Sequence, residues 1–317
     1  MAARPTTSSS DCRMLRHMNN AIEVNGLTKR FGEVLAVDDL SFTVPEGTVT
    51  GFLGPNGAGK TTTLRMLLGL IKPTTGTATI FGCPFVELDR PFEAVGAALE
   101  ASSFHPGRRA RDHLRVLATA AGIPIARVDE VLDEVGLSEA ATRRTRGFSL
   151  GMRQRLSLAA ALLGEPRILV LDEPANGLDP QGVHWLRAFL RSFADQGGTV
   201  LVSSHLLTEI SLLVDEVVIV SHGRLVTQSS LAALSHNVMP TVRVRTPQAA
   251  ELRDALTANG ITTEAVDNEM LHVLDSTTES IGRIAASSGI VIYEIAAERF
   301  DLEELFLDLT TSKGAVR

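Results

Sequence analysis

The run Gly54-Pro55-Asn56-Gly57-Ala58-Gly59-Lys60-Thr61 restricts this chain more than any other stretch. It fits the pattern G-x-x-x-x-G-K-[ST] at every fixed position. Ahead of it, Thr48–Leu53 reads as a short buried strand, and behind it Leu64, Leu67, Leu68 and Ile71 fall at helical spacing. Strand, glycine loop and helix in that order turn backbone N–H groups and a helix N-terminus toward an anion. The glycines let the backbone take positive φ and approach phosphates closely. Lys60 would neutralise the β- and γ-phosphates of a bound nucleotide, while Thr61, followed by Thr62, would offer its hydroxyl to Mg²⁺. Among 30 lysines and arginines only four are lysines (Lys29, Lys60, Lys72 and Lys313). A lysine in the loop therefore stands out: a compact ammonium reaches between phosphates where a planar guanidinium fits less well.

With 317 residues, 44% of them hydrophobic, the chain can bury the core of one large domain or of two. Its formal net charge of −7 and the lack of a lysine-arginine block point away from nucleic acid as a partner. The two cysteines, Cys12 and Cys83, lack metal-ligand spacing and suggest no disulfide framework, as in a reducing cytoplasm. No uninterrupted apolar run is long enough to span a bilayer, so any membrane role would need a separate partner chain. Residues 1–20 are rich in Ser, Thr, Arg and Asn and read as a disordered leader without the apolar core of a secretory signal.

Further along, Ala21–Val24 and Leu40–Val44 read as strands, with Pro45-Glu46-Gly47 a turn. Thr77–Phe81 is another strand. From about 101 to 165 the pattern turns helical, with Leu114, Leu117 and Ala118 on one face and Val128, Val131, Leu132 and Val135 on another. Buried-strand runs return at Arg167–Glu173, Gly198–His205 and Val217–Val220, with a helix over about 181–195. Strands alternating with helices imply an α/β fold with a mostly parallel sheet, and such sheets bind ligands at the carboxyl ends of their strands. That edge would hold the glycine loop, Asp172-Glu173 and His205. An Asp ending a strand opposite a phosphate loop suits Mg²⁺, and the adjacent Glu could orient or deprotonate an attacking water.

After about residue 235 the pattern resets. Thr241–Arg245, a helix over about 247–259, strands near 261–266 and at Met270–Leu274, a helix over about 278–288 and a strand at Ile290–Ile295 give the order β-α-β-β-α-β. This implies a small ferredoxin-like α+β domain over 236–317. A last helix, about 301–310, would carry Leu302, Leu305, Phe306 and Leu309 on one face.

Between the helical region and Asp172 lies Phe148-Ser149-Leu150-Gly151-Met152-Arg153-Gln154-Arg155. Here the chain resembles the ATP-binding subunits of ABC transporters over roughly residues 21–232. In that family the pattern Leu-Ser-Gly-Gly-Gln opens a helix whose N-terminus faces the γ-phosphate held by a second subunit. This chain keeps Ser149 and Gly151 but has Leu150 for the first glycine and Met152 for the glutamine. The resemblance implies the P-loop ATPase fold with a helical subdomain at about 101–165, ATP and Mg²⁺ as ligands, and catalytic roles for Lys60, Glu173 and His205. Nucleotide would be bound by Phe31, stacking on adenine, and by Gly54 through Thr62. Mg²⁺ would be met by Thr61, Asp172 and Glu100, the last standing where the family usually has Gln. Asn176-Gly177-Leu178-Asp179 matches the D-loop that runs along the dimer interface.

Ser149-Leu150-Gly151-Met152 together with Glu100 is similar to the bacitracin-type drug and lantibiotic efflux subgroup of ABC-2 exporters. The implied protein is an ATPase subunit that dimerises and drives a separate ABC-2 permease from the cytoplasmic face of the membrane, with the region around 100–125 as permease contact. Two alternatives stand beside it. A soluble ATPase acting on ribosomes or DNA would usually carry a second cassette or a long coiled coil, and neither pattern is present. A regulatory ATP sensor is at odds with an intact Asp172, Glu173 and His205.

Overall fold

The computed structural model describes residues 20–99, 104–205, 212–236 and 241–297. They fall into two compact units, one running to Leu231 and one from Ala232. The expected leader (1–20, save for Asn20), Glu100 and the expected helix at 301–310 lie outside the described residues.

The first unit is built on a six-stranded sheet in the order β5-β6-β7-β3-β8-β9, comprising β5 (Val95–Ala98), β6 (Ile168–Asp172), β7 (Thr199–Ser204), β3 (Val49–Leu53), β8 (Glu216–Ser221) and β9 (Arg224–Ser230). Neighbours are parallel except β8 with β9, which are antiparallel. β3 and β7 are buried along their whole length and β6 up to Leu171, as strands covered on both faces must be. β1 (Asn20–Phe31), β2 (Val34–Pro45) and β4 (Thr75–Ile80) form a separate antiparallel sheet in the order β2-β1-β4. Phe42 of β2 stacks on Phe52 of β3 at 5.2 Å, part of the core that the two sheets share with helix α1 (Lys60–Leu67). The helical region holds α2 (Ala110–Ala121), α3 (Ala126–Glu134) and α4 (Leu150–Leu162), and α5 (Pro180–Asp195) connects β6 to β7.

β1 and β2 extend well beyond the strands read from the sequence. Asn25-Gly26 has the composition of a turn, yet the chain passes through it as a bulge. Gly26 takes φ 55° and donates its N–H to Ser41 Oγ at 2.8 Å, and the β1–β2 register shifts beside it. Asp39 takes φ 50° and donates its N–H to Thr28 Oγ1 at 3.0 Å, so the polar Asp38-Asp39 pair lies inside a strand. Cys83 is disulfide-bonded, against the expectation from cysteine spacing.

The second unit has the strand order β11-β12-β10-β13, from β10 (Thr241–Arg245), β11 (Thr263–Ala265), β12 (Met270–Leu274) and β13 (Glu294–Ala297), all antiparallel. This is the ferredoxin-like arrangement. Helices α6 (Ala249–Ala258) and α7 (Thr278–Ser287) supply Leu252, Leu256, Ile281 and Ala285 to its core. The last strand differs from the reading: it begins at Glu294, not Ile290. Val291 instead bonds to side chains, its N–H donating to Gln248 Oε1 at 3.1 Å and its carbonyl accepting Thr246 Oγ1 at 2.7 Å. Side-chain capture removes Ile290–Ile292 from the ladder, which periodicity does not reveal.

On α2, His113 is 9% exposed, meets Phe104 edge-on at 4.9 Å, and has a buried Nδ1 without a hydrogen-bond partner. Burial first, and the Arg108 charge second, hold its pKa below the ordinary 6.5. The folded chain therefore resists a proton that the unfolded chain accepts, and stability falls as pH drops below 6.5. Thermal melts from pH 8 to pH 5 should show this loss, and His113→Leu should flatten it.

Candidate functional site

Register builds the site. β6 pairs with β7 through Asp172↔Ser203, and β7 pairs with β3 through Ser203↔Phe52 and Ser204↔Leu53. Three parallel strands, in the order β6-β7-β3, thus end side by side, and the glycine loop leaves from the end of β3. Gly54 has no room for a side chain, because a Cβ there would lie 2.5 Å from the Val220 carbonyl oxygen. Gly59, the N-cap of α1, takes φ 98°, and a Cβ there would lie 2.6 Å from the Ala36 carbonyl oxygen. The loop is also tied down by backbone: Ala58 N–H donates to the Pro55 carbonyl at 3.1 Å, and the Ala58 carbonyl accepts Gly223 N–H at 3.1 Å.

Lys60, the first residue of α1, is only 6% exposed. Its ammonium donates to the carbonyls of Gly54 at 2.7 Å and Pro55 at 3.3 Å, and pairs with Glu173 Oε1 at 3.3 Å. A cation so removed from water needs this set of oxygens. Thr61 Oγ1 donates to Asp172 Oδ2 at 2.7 Å, and Ser203 Oγ donates to Asp172 Oδ1 at 2.5 Å. Ser203 Oγ in turn accepts the Glu173 N–H at 2.9 Å, and Glu173 Oε2 lies 2.7 Å from His205 Nδ1. Glu173 takes φ 50°, a conformation costing a non-glycine residue on the order of 1–2 kcal/mol. The surrounding bonds hold it there.

Lys60, Thr61, Asp172, Glu173 and His205 thus form one hydrogen-bonded network. Ser203 is the member that sequence reasoning missed as a site residue; its signal is a hydroxyl at the end of an otherwise apolar buried strand. Thr61 and Asp172 converge as hard oxygen donors, which suits Mg²⁺ completed by phosphate oxygens and water. Phe31 ends β1 with its ring 47% exposed and Lys29 Nζ 4.9 Å from its centroid. It stands on the β1–β2 hairpin, whose β2 arm supplies the Ala36 carbonyl beside Gly59.

Two helix N-termini lie apart from this network. Ser149 caps α4, its Oγ accepting the Met152 N–H at 3.2 Å, and Asp179 caps α5, its Oδ1 accepting the Gly182 N–H at 2.8 Å. Leu150, Gly151 and Met152 form the first turn of α4. Arg155 lies over the Trp185 ring at 3.9 Å, joining the two helices. Burial pulls its guanidinium below the ordinary value, opposed by the Asp179 charge.

Residues 37–176 match the ABC transporter family, and residues 240–303 match a domain of unknown function. A bacitracin transport ATP-binding protein from Bacillus licheniformis is 44% identical over 214 residues, covering 67% of this chain and 70% of that protein. A lantibiotic transport ATP-binding protein from Streptococcus pyogenes is 33% identical over 207 residues, covering 65% and 90%. Among solved structures, a dimeric bacterial ABC transporter cassette superposes with a TM-score of 0.61 at 23% identity, covering 66% of this chain and 98% of that one.

Ser203→Ala deletes the hydroxyl shared by Asp172 and the Glu173 N–H. Loss of such a buried double contact corresponds to roughly tenfold in rate. Steady-state ATPase assays should show kcat falling by that much, with nucleotide titration showing a change of less than about threefold in affinity.

Proposed function

Since the chain belongs to the ATP-binding proteins of ABC transporters, we propose that two copies sandwich two ATP molecules and drive a separate ABC-2 type permease from the cytoplasmic face of the membrane. The chain binds and hydrolyses ATP as its family does. Among the described residues no helix is long and apolar enough to cross a membrane. ATP-binding subunits of transporters work with membrane permeases, and in this reading the permease is a separate chain.

One observation carries the assignment of residues: a single network links the phosphate loop (Lys60, Thr61) to the strand-end acids (Asp172, Glu173) and to His205. In this reading Lys60 turns from the loop carbonyls to the β- and γ-phosphates. Thr61 and Asp172 would hold Mg²⁺, to which the resemblance adds Glu100, and the ion would offset phosphate charge. The carboxylate of Glu173 takes a proton from the attacking water as its oxygen bonds to the γ-phosphorus and the bond to ADP breaks. His205 steadies Glu173, and the Phe31 ring stacks on adenine. Ser149, Leu150, Gly151 and Met152, at the N-terminus of α4, face the γ-phosphate bound by the other copy, since a capped helix N-terminus favours an anion. Asp179 lies along the same interface.

The named relatives transport bacitracin and lantibiotics. We take a peptide antibiotic or similar drug as the exported class for this chain. The unit after residue 235 serves as an accessory domain.

Glu173→Gln keeps the hydrogen-bonding shape but not the base. It should lower ATP turnover by about a hundredfold or more while ATP-dependent dimers accumulate in size-exclusion chromatography with light scattering. Turnover near the wild-type rate would remove Glu173 from the role of base. Ser149→Arg should leave ATP binding to the monomer intact and abolish those dimers; dimers of normal abundance would overturn the interface.

A further inference from the structure

The residue that replaces a glycine in the α4 motif is not idle. Leu150 is 46% exposed, and its covered side lies on Gly177: a Cβ on Gly177 would sit 2.1 Å from Leu150 Cδ2. The contact is reciprocated. Leu178, the next residue of that turn, lies over Gly151, 3.4 Å from where a Cβ would be. Two leucines thus rest on two glycines, each pair bridging the α4 N-terminus and the turn that leads into α5. Gly177 also takes φ 70°, so the turn needs glycine for its backbone as well as for space.

The turn is short and firmly connected to the acid that precedes it. Asn176 N–H donates to the Glu173 carbonyl at 3.1 Å, and Leu178 N–H donates to the Ala175 carbonyl at 3.1 Å. A compact bend therefore joins the Glu173 backbone to Gly177, and Gly177 lies against Leu150, next to the Ser149 cap. The Arg155–Trp185 contact ties the same two helices one to two turns further along.

We propose that Leu150 is a positioning residue that interlocks with Gly177, so that the turn after Glu173 and the N-terminus of α4 move as one piece. This rests on the dimer reading above. In that dimer Glu173 serves the chain's own ATP and Ser149 serves the partner's. The interlock then links the two ATP sites through each chain, and hydrolysis at one is felt at the other. A glycine at 150 would leave Gly177 uncovered and the two elements free to move separately.

The test measures ATPase rate against ATP concentration for the full-length chain, with Leu150→Gly, Leu150→Met, Gly177→Ala and Leu150→Gly combined with Gly177→Ala. ATP-induced dimers are scored in parallel in the Glu173→Gln background. We expect a wild-type Hill coefficient clearly above ~1, a fall to ~1 in Leu150→Gly, and retention in Leu150→Met. Gly177→Ala should slow turnover by roughly tenfold, but by no more than about twofold when Leu150→Gly is also present. Backbone strain at position 177 is common to both backgrounds and cancels in that comparison, which leaves the steric contact. Additive effects, or an unchanged Hill coefficient in Leu150→Gly, would overturn the interlock. So would wild-type dimers that hydrolyse without cooperativity, and these would leave the dimer reading standing. Failure to form ATP-dependent dimers at all would sink both.

Discussion

The in-register ending of three parallel strands is the constraint on which the candidate site depends. β6, β7 and β3 are held by an unbroken ladder, and their last residues stand abreast. Asp172 and Ser203 are consequently paired neighbours. A shift of one residue along any strand would reverse which side chains face which layer and dissolve the network. The apolar runs Ile168–Leu171 and Val200–Val202 are buried, and they fix the register that the polar tips require.

Around that edge, the polar groups limit one another's freedom. Asp172 uses both carboxylate oxygens, one for Thr61 and one for Ser203. Glu173 divides its two between Lys60 and His205. Carboxylates with both oxygens engaged have a defined orientation, which a residue at positive φ would otherwise lack. Preorganisation of this kind lowers the cost of aligning groups at the moment of reaction. The loop has the same quality, since Gly54 and Gly59 are pressed against backbone carbonyls of other strands.

The glycine loop, the Asp172-Glu173 pair and the parallel sheet were legible because each is a local pattern whose chemistry is carried by adjacent residues. The ferredoxin-like order of the second unit was legible for the same reason. What was not legible depended on pairing across long distances. Nothing local marks Ser203 as a bridge between two acids, because the bridge exists only once β7 lies beside β6. The reach of β1 past Val24 was not legible, because the bulge at Gly26 is held by Ser41 and the third strand of that sheet comes from far along the chain. Ile290–Ile292 read as strand because capture by Gln248 and Thr246 is a side-chain event. Phe31, Ser149 and Asp179 came from the family resemblance, and the structure adds their local setting: an exposed ring and two caps.

The bond from Thr61 to Asp172 joins residues 111 positions apart, and Ser203 and His205 come later still. A ribosome that has released only the glycine loop has therefore made a phosphate cradle with no acid to face it. Domains fold largely as units during synthesis, the N-terminal parts emerging first. Chemistry on a nucleotide thus waits until the strand ending in Ser204 has slotted between its two neighbours. That strand lies between β6 and β3, so its arrival sets Ser203 beside Asp172 and joins the acids to the glycine loop. The nascent chain is in this way kept from using nucleotide before its loop, its acids and the bridging serine have met.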